Sequence, residues 1–290
     1  MTRNRGFLEA YSPKPETLAL VAEVNKILVD EADYLPLTLR QIFYRLVVKE
    51  LIDKTEKSYK SMCENIGQAR RGKMIAMDDI RDDGFRQNKA EGWKSKEAMI
   101  DTFRHHAKNF TLDRQGGQEQ RIIVWCEAGG MIPQLQRVAN DYSIPVYSSG
   151  GFDSITTQHS MGKLFSEDVT NALILHIGDH DPSGVHMFSA LEQNVVAFAE
   201  HYGGFPEFVR LAVTPDQVIE YDLPTQPPKK TDNRRFEGNE TTQAAALAPA
   251  SMANILRYAI ESRMDMAVYD NIQAQEVGCR AELEFLFLGL

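Results

Sequence analysis

Cysteine is scarce in this chain. Three occur in 290 residues, Cys63, Cys126 and Cys279, far apart and without a CxxC pair. An odd, scattered set of this kind argues against a disulfide framework and against a zinc site, and points to a reducing compartment. Long apolar runs are missing too. None approaches the roughly 18–20 residues needed to cross a bilayer, so no membrane-spanning segment is expected. Residues 1–7 start basic, but no apolar core follows, and no signal peptide is expected. No internal repeat is visible. What remains is an ordinary globular balance, 43% hydrophobic and 25% charged. That balance excludes a disordered chain, a collagen-like fibre and a disulfide mini-protein. The length suits one large or two modest domains at roughly 100–200 residues each.

The net charge is −9, which taken whole argues against indiscriminate nucleic-acid binding. The charge is unevenly spread, however. Residues 1–117 hold 21 Lys+Arg against 18 Asp+Glu, and residues 118–290 hold 11 against 23. Between them, residues 113–120 are polar and carry the Gly116-Gly117 pair. We therefore expect a mildly basic front domain over 1–117 and an acidic rear domain over 118–290. An acidic module can be merely soluble, or it can hold a divalent cation.

The front reads as helical. Leu18, Val21, Val24, Ile27 and Leu28 recur at helical spacing between Pro13 and Ala32. The segment Tyr34-Leu35-Pro36-Leu37 interrupts this pattern. Thr38 with Gln41 three residues on is a capping-box pattern, predicting a helix from Leu39 to about Glu50. A third helix is expected from Lys57 to Arg71, ending at Gly72. Helix, short turn, helix, helix suits a helix-turn-helix or winged-helix module, and equally any small helical bundle. In the second helix Leu39, Ile42, Phe43, Leu46 and Val47 form the apolar stripe. Tyr44 lies off that stripe, and Arg40, four residues earlier, shares its face. Such a tyrosine can be an ordinary exposed rim residue, or a nucleophile whose arginine stabilises phosphate charge.

The rear alternates strand and helix. Strands are expected at 122–126, 144–147, 172–177 and 208–213, with helices at 131–142, 155–167 and 183–201. This pattern indicates an α/β unit with a mainly parallel sheet. Ligands of such sheets sit beyond the carboxyl ends of the strands. Glu127 follows the first strand. Gly178-Asp179-His180-Asp181-Pro182-Ser183-Gly184 follows the third. Asp179 and Asp181, two apart, point the same way in an extended segment. Converging carboxylates repel unless a cation lies between them, and hard oxygen donors suit Mg²⁺ or Mn²⁺. The glycines would let a phosphate backbone approach, with Ser183 capping the next helix. The plainer alternative is a turn followed by a helix cap.

Together, Arg40-Gln41-Ile42-Phe43-Tyr44-Arg45, the lone Glu127 at a strand end and the Gly-Asp-x-Asp-Pro-x-Gly motif resemble the A subunit of topoisomerase VI and the related meiotic double-strand-break protein. The similarity runs from about Thr38 to the C-terminus. In length the chain resembles the stand-alone mini-A proteins of phages and mobile elements. The resemblance implies an N-terminal winged-helix domain bearing the nucleophile Tyr44, followed by a Toprim domain. Tyr44 would attack a DNA phosphodiester to form a 5′-phosphotyrosyl link, with Arg40 steadying the phosphate. Asp179 and Asp181 would hold Mg²⁺ (or Mn²⁺), and Glu127 would serve as acid/base or a further ligand. It also implies double-stranded DNA as substrate, a separate ATPase subunit for strand passage, and a cytoplasmic, nucleoid-associated setting. A homodimer is implied as well, in which each tyrosine meets the partner's metal, since one chain is not expected to bring the two together.

Two rivals stand beside this reading: a metal-dependent Toprim nuclease using water, with Tyr44 structural, and a noncatalytic DNA-binding homodimer. Arg45 and the cluster Arg70, Arg71 and Lys73, with Arg81, are candidate DNA contacts or else a solvated face. Pro227-Pro228-Lys229-Lys230 with Arg234-Arg235 reads as a basic loop that could touch DNA. His176, His180 and His186 read as structural neighbours of the proposed metal. His105-His106 reads as surface, and Trp93 and Trp125 as packing residues.

Overall fold

The computed structural model describes residues 7–8, 10–81, 92–148, 155–167, 172–229, 232, 234 and 236–287, apart from the side chains of Thr156 and Glu167. The fold is α/β. The front half opens with α1 (Pro15–Asp30), whose buried Val21, Val24, Ile27 and Leu28 fall on the expected face. A single 3-10 turn (Ala32–Tyr34) leads into β1 (Leu37–Thr38) and α2 (Leu39–Val48). The capping box at the start of α2 forms as expected. Gln41 N–H donates to Thr38 Oγ1 at 3.2 Å, and Thr38 N–H donates to Gln41 Oε1 at 2.9 Å. These bonds satisfy two of the amide groups that a helix start leaves open. Next come α3 (Glu56–Arg71), ending at Gly72, then β2 (Ile80–Arg81), which pairs in parallel with β1, and α4 (Lys96–Lys108). Sequence periodicity did not single out β2 or α4.

The rear half is β3 (Arg121–Cys126), α5 (Ile132–Ala139), β4 (Val146–Ser148), α6 (Ile155–Glu167), β5 (Ala172–Ile177), α7 (Pro182–His201) and β6 (Glu207–Ala212). It closes with α8 (Pro215–Glu220), α9 (Pro249–Glu261) and α10 (Met266–Phe287). The strands form a parallel sheet in the order β4-β3-β5-β6. Alternate side chains of β3 leave opposite faces, as the two-residue strand period requires. Ile122, Val124 and Cys126 join one core with Leu135 and Val138 of α5 and Leu256 of α9. Ile123 and Trp125 join the other with Phe165 of α6 and Val195 of α7.

The larger core does not stop at residue 117. It runs on through Ile42, Leu46, Ile66 and Val24 of the front helices. The boundary segment is itself anchored. Arg114 Nε donates to Glu276 Oε1 on α10 at 2.8 Å, and Glu276 is 1% exposed. Gly117 takes a left-handed backbone there (φ +73°), a conformation in which any Cβ would be strained.

The order of connections fixes where a site can form. From β3 the chain moves outward through α5 to β4. From β5 it moves outward the other way, through α7 to β6. β3 and β5 are therefore neighbours whose onward connections diverge, and a crevice opens beyond their carboxyl ends. Register places Cys126 beside Ile177, so the residues that follow each strand emerge side by side.

Candidate functional site

Glu127 and Asp179 emerge at that crevice. Glu127 N–H donates to the Ile177 carbonyl at 2.8 Å, and Asp179 N–H reaches Glu127 Oε2 at 3.3 Å. The glycines serve a different purpose from the one expected. A Cβ at Gly178 would lie 2.6 Å from Glu127 Oε2, and one at Gly184 would lie 2.4 Å from the Asp179 carbonyl oxygen. They make room for the protein's own carboxylate and backbone rather than for a phosphate. The helix cap also differs: Asp181, not Ser183, caps α7, its Oδ1 accepting the Gly184 N–H at 2.7 Å.

The three acids repel one another. Burial, then the Asp179 charge, then Asp181, pushes the Glu127 carboxyl up to about 7. Burial foremost, with Asp181 adding, raises Asp179 as well. Arg210 of β6 is a counter-charge common to all three: its guanidinium donates to the Asp179 carbonyl at 2.5 Å and interacts electrostatically with each carboxylate, while Arg40 of α2 opposes the rise at Asp179 as well. Sequence reasoning missed Arg210, although a lone arginine inside Phe208-Val209-Arg210-Leu211-Ala212 was a legible sign of a buried charged partner.

Among the described residues no three His, Cys, Asp or Glu side chains form a ready-made metal cage. Glu127, Asp179 and Asp181 are not gathered as a joint ligand set, and one oxygen of each aspartate is engaged: Asp179 Oδ1 accepts the Ala244 N–H at 2.8 Å and Asp181 Oδ1 caps α7. The donor chemistry nonetheless fits Mg²⁺, which usually takes one or two carboxylates and keeps water on its other positions. Asp179 and Asp181 each keep a second oxygen for that role, and the repulsion that raises Glu127 and Asp179 is what a cation relieves.

Tyr44 departs most from expectation. It is 5% exposed and belongs to the main core rather than to a solvent rim. Helix periodicity placed it off the front stripe correctly, but that second side of α2 is covered by a distant segment. The Tyr44 hydroxyl donates to Gln243 Oε1 at 2.5 Å, and the 3-10 turn Ala244–Ala246 lies against α2. Burial pushes the phenol up to about 12, with Arg40 opposing and Asp179 adding to the rise. Gln243 and Ala244 are consecutive, so one stretch of backbone joins the Tyr44 hydroxyl to the Asp179 carboxylate. A single chain therefore does bring the tyrosine within electrostatic reach of one of the acids, Asp179, where one chain was not expected to join the two.

Lys54, unmarked by any motif, completes the surroundings. Its Nζ donates to the Pro224 carbonyl at 2.7 Å and stands 5.7 Å from the Tyr44 ring centroid. Burial pushes it down to about 8, with Asp179 opposing.

The candidate DNA contacts divide. Arg40 is exposed, with the Tyr59 hydroxyl as a hydrogen-bond partner. Arg45 is turned inward and donates to the Ala246 carbonyl, which corrects its assignment as a DNA contact. Arg70 donates to the Met77 and Ile80 carbonyls at 2.7 and 2.9 Å. Arg71 is half-buried, and its carbonyl receives the Leu8 N–H. Lys73 is exposed, its ammonium 5.2 Å from the Phe7 ring centroid. In the basic loop Arg234 pairs with Asp232 at 3.0 Å, while Lys230 and Arg235 lie outside the described residues.

His176 is buried against Phe188, and desolvation pushes it down to about 3, so it stays neutral. His180 is buried with its ring tilted against Phe236, whereas His186, His105 and His106 are exposed. Trp125 is core, but Trp93 is 53% exposed. No helix among the described residues is long and apolar enough to cross a membrane. Neither protein-family models nor curated proteins give a match to this chain.

Proposed function

We propose that this protein cleaves double-stranded DNA by tyrosine transesterification, as a type IIB topoisomerase A-subunit-like enzyme with a winged-helix front and a Toprim rear. The observation that carries the reading is the juxtaposition of Tyr44 with the strand-end carboxylate of Asp179 across residues 243–244 of one chain. In the proposed step the Tyr44 oxygen gives up its proton and bonds to phosphorus, the bond from phosphorus to the 3′-oxygen breaks, and that oxygen takes up a proton to leave as a 3′-hydroxyl. The Tyr44 hydroxyl must first leave Gln243. Glu127, whose carboxyl titrates near neutrality, suits proton transfer. Arg40, exposed one turn before Tyr44, supplies charge to the phosphate. Mg²⁺ or Mn²⁺ on Asp179 and Asp181, when bound, supplies positive charge to a phosphate oxygen. A homodimer that cuts both strands, and an ATPase partner for strand passage, belong to the same proposal.

The test is incubation with supercoiled plasmid and Mg²⁺ or Mn²⁺, stopped with detergent, with and without protease. Broken DNA that enters a gel only after protease digestion is the expected result. The burial of Tyr44 favours a second reading, a Toprim nuclease that uses water. Breaks bearing free 5′-phosphates, made equally well by Tyr44→Phe, would establish that reading instead.

A further inference from the structure

On the other side of the loop after β3 lies a cleft of about 420 Å³, within the size range of small-ligand sites. The front helices form one wall and the loop Ala128-Gly129-Gly130 the other. Among the described residues three arginines line it, Arg40, Arg70 and Arg81, and no carboxylate does. In a chain with nine more acids than bases, such local segregation is informative.

The arginines are held in place. Arg81 donates from Nε to the Pro36 carbonyl at 3.0 Å and from Nη2 to the Gly130 carbonyl, which ties the two walls together. Arg70 spans the Met77 and Ile80 carbonyls, and its Nε is buried with no hydrogen-bond partner. The Arg70 Nη2 is thereby positioned by the backbone, and the guanidinium keeps its positive charge at the cleft wall. Arg40 stands at the mouth beside the Tyr59 hydroxyl. Gly129 is open: a Cβ there would meet nothing within 4 Å.

We infer that this cleft binds a backbone phosphate of nucleic acid, adjacent to the phosphate that Tyr44 attacks. The inference rests on the DNA-cleavage reading for its ligand, because Arg40 links the cleft to Tyr44 along one turn of α2. It adds Arg81, Arg70 and the Gly129-Gly130 backbone as a second phosphate subsite that positions the strand.

The test measures binding rather than cleavage. A short fluorescent duplex is titrated in EDTA over a range of KCl concentrations, by anisotropy. Gly129→Asp places a carboxylate in open space and is expected to weaken binding about tenfold. Arg81→Gln is expected to lower the slope of log affinity against log salt by about 0.9, the value of one phosphate contact. Lys26→Gln removes an exposed charge on α1 outside the cleft and should match wild type. Circular dichroism checks that each variant is folded. Should Arg81→Gln not fold, Gly129→Asp alone decides. Wild-type affinity and slope in folded Gly129→Asp would overturn the subsite while leaving the DNA reading intact. No duplex binding by wild type would overturn both. Loss of binding in the cleft variants, with no covalent adduct in the plasmid assay, would keep the subsite and remove the Tyr44 chemistry. Inorganic phosphate and a nucleoside triphosphate, each added at matched ionic strength, should leave the duplex bound. Displacement by either at micromolar concentration would make this a small-anion pocket and overturn the nucleic-acid assignment.

Discussion

The arginine cleft and the carboxylate crevice are separated by one short loop, yet they are opposite in character. Glu127 at the start of the loop belongs to a cluster of three acids that share Arg210 as a counter-charge, with Arg40 acting on Asp179. Gly129 and Gly130, two and three residues on, belong to a cleft that, among the described residues, is lined by three arginines and no acid. The first environment raises carboxyl pKa values and favours a cation. The second lines one cleft with three guanidinium groups and favours an anion. A phosphodiester strand accompanied by a divalent ion satisfies both at once. The net charge of the whole chain reveals neither, whereas the split between the halves has the same sense: the three arginines come from residues 1–117 and the three acids from 118–290.

The largest expected effect tests whether Tyr44 links these environments chemically. Tyr44→Phe should eliminate the protease-sensitive adduct. It should leave the fold within about 1 kcal/mol, the net value of one hydrogen bond lost to Gln243. Adduct at wild-type levels in detergent-stopped reactions would remove Tyr44 from the mechanism.

The acidic side is sharpened by separating ligand from cap. Asp181→Asn keeps a good helix cap and loses a charge, whereas Asp181→Ala loses both. Calorimetric titration should show weaker Mg²⁺ binding in both variants and in Asp179→Asn. Thermal unfolding should show a further loss of about 1 kcal/mol in the alanine variant alone. Unchanged Mg²⁺ affinity in all three would leave the pair as a turn and a cap.

A smaller effect comes from pH. Glu127 titrates at about 7 in the folded protein, against about 4.3 for an unperturbed glutamate. Between those values the folded state holds more protons, so this stabilisation is complete below about 4.3 and is lost as pH rises through 7. Asp179, also raised, acts with the same sign. The metal-free protein should therefore melt at a lower temperature at pH 8 than at pH 5.5. Adding Mg²⁺ at pH 8 should recover part of the difference, and Glu127→Gln should flatten the profile. A melting temperature that rises across this range in wild type would contradict the repulsion argument.

The smallest effect concerns the scaffold that presents Arg40. Thr38→Ala removes half of the α2 capping box, a loss of about 1 kcal/mol. Chemical denaturation should register it as a lower midpoint with an unchanged slope. No shift would mean that tertiary packing alone holds the start of α2.

Much of this architecture was legible in the chain. The Thr38–Gln41 box, the limits of β5 and the parallel α/β pattern follow from interactions within about four residues or from a two-residue alternation, and such signals survive in a single sequence. The positions of Glu127 and Asp179 at strand ends followed in turn. The segments after β6 carried weaker patterns, and α9 and α10 were not anticipated. The 3-10 turn Ala244–Ala246 offered only a run of alanines, which gives no period to read.

What the sequence determined by itself was which residues could stand beyond the strands and which side of α2 would carry Tyr44 and Arg40. What the tertiary structure decided was what those residues meet. Tyr44 is buried by a segment 199 residues away. The acids are balanced by an arginine from β6, and the arginine cleft closes between elements that share no local pattern. Local propensity acts along the chain, whereas desolvation and Coulomb forces act through space. The chemical state of each group is therefore set only once the distant segments have packed.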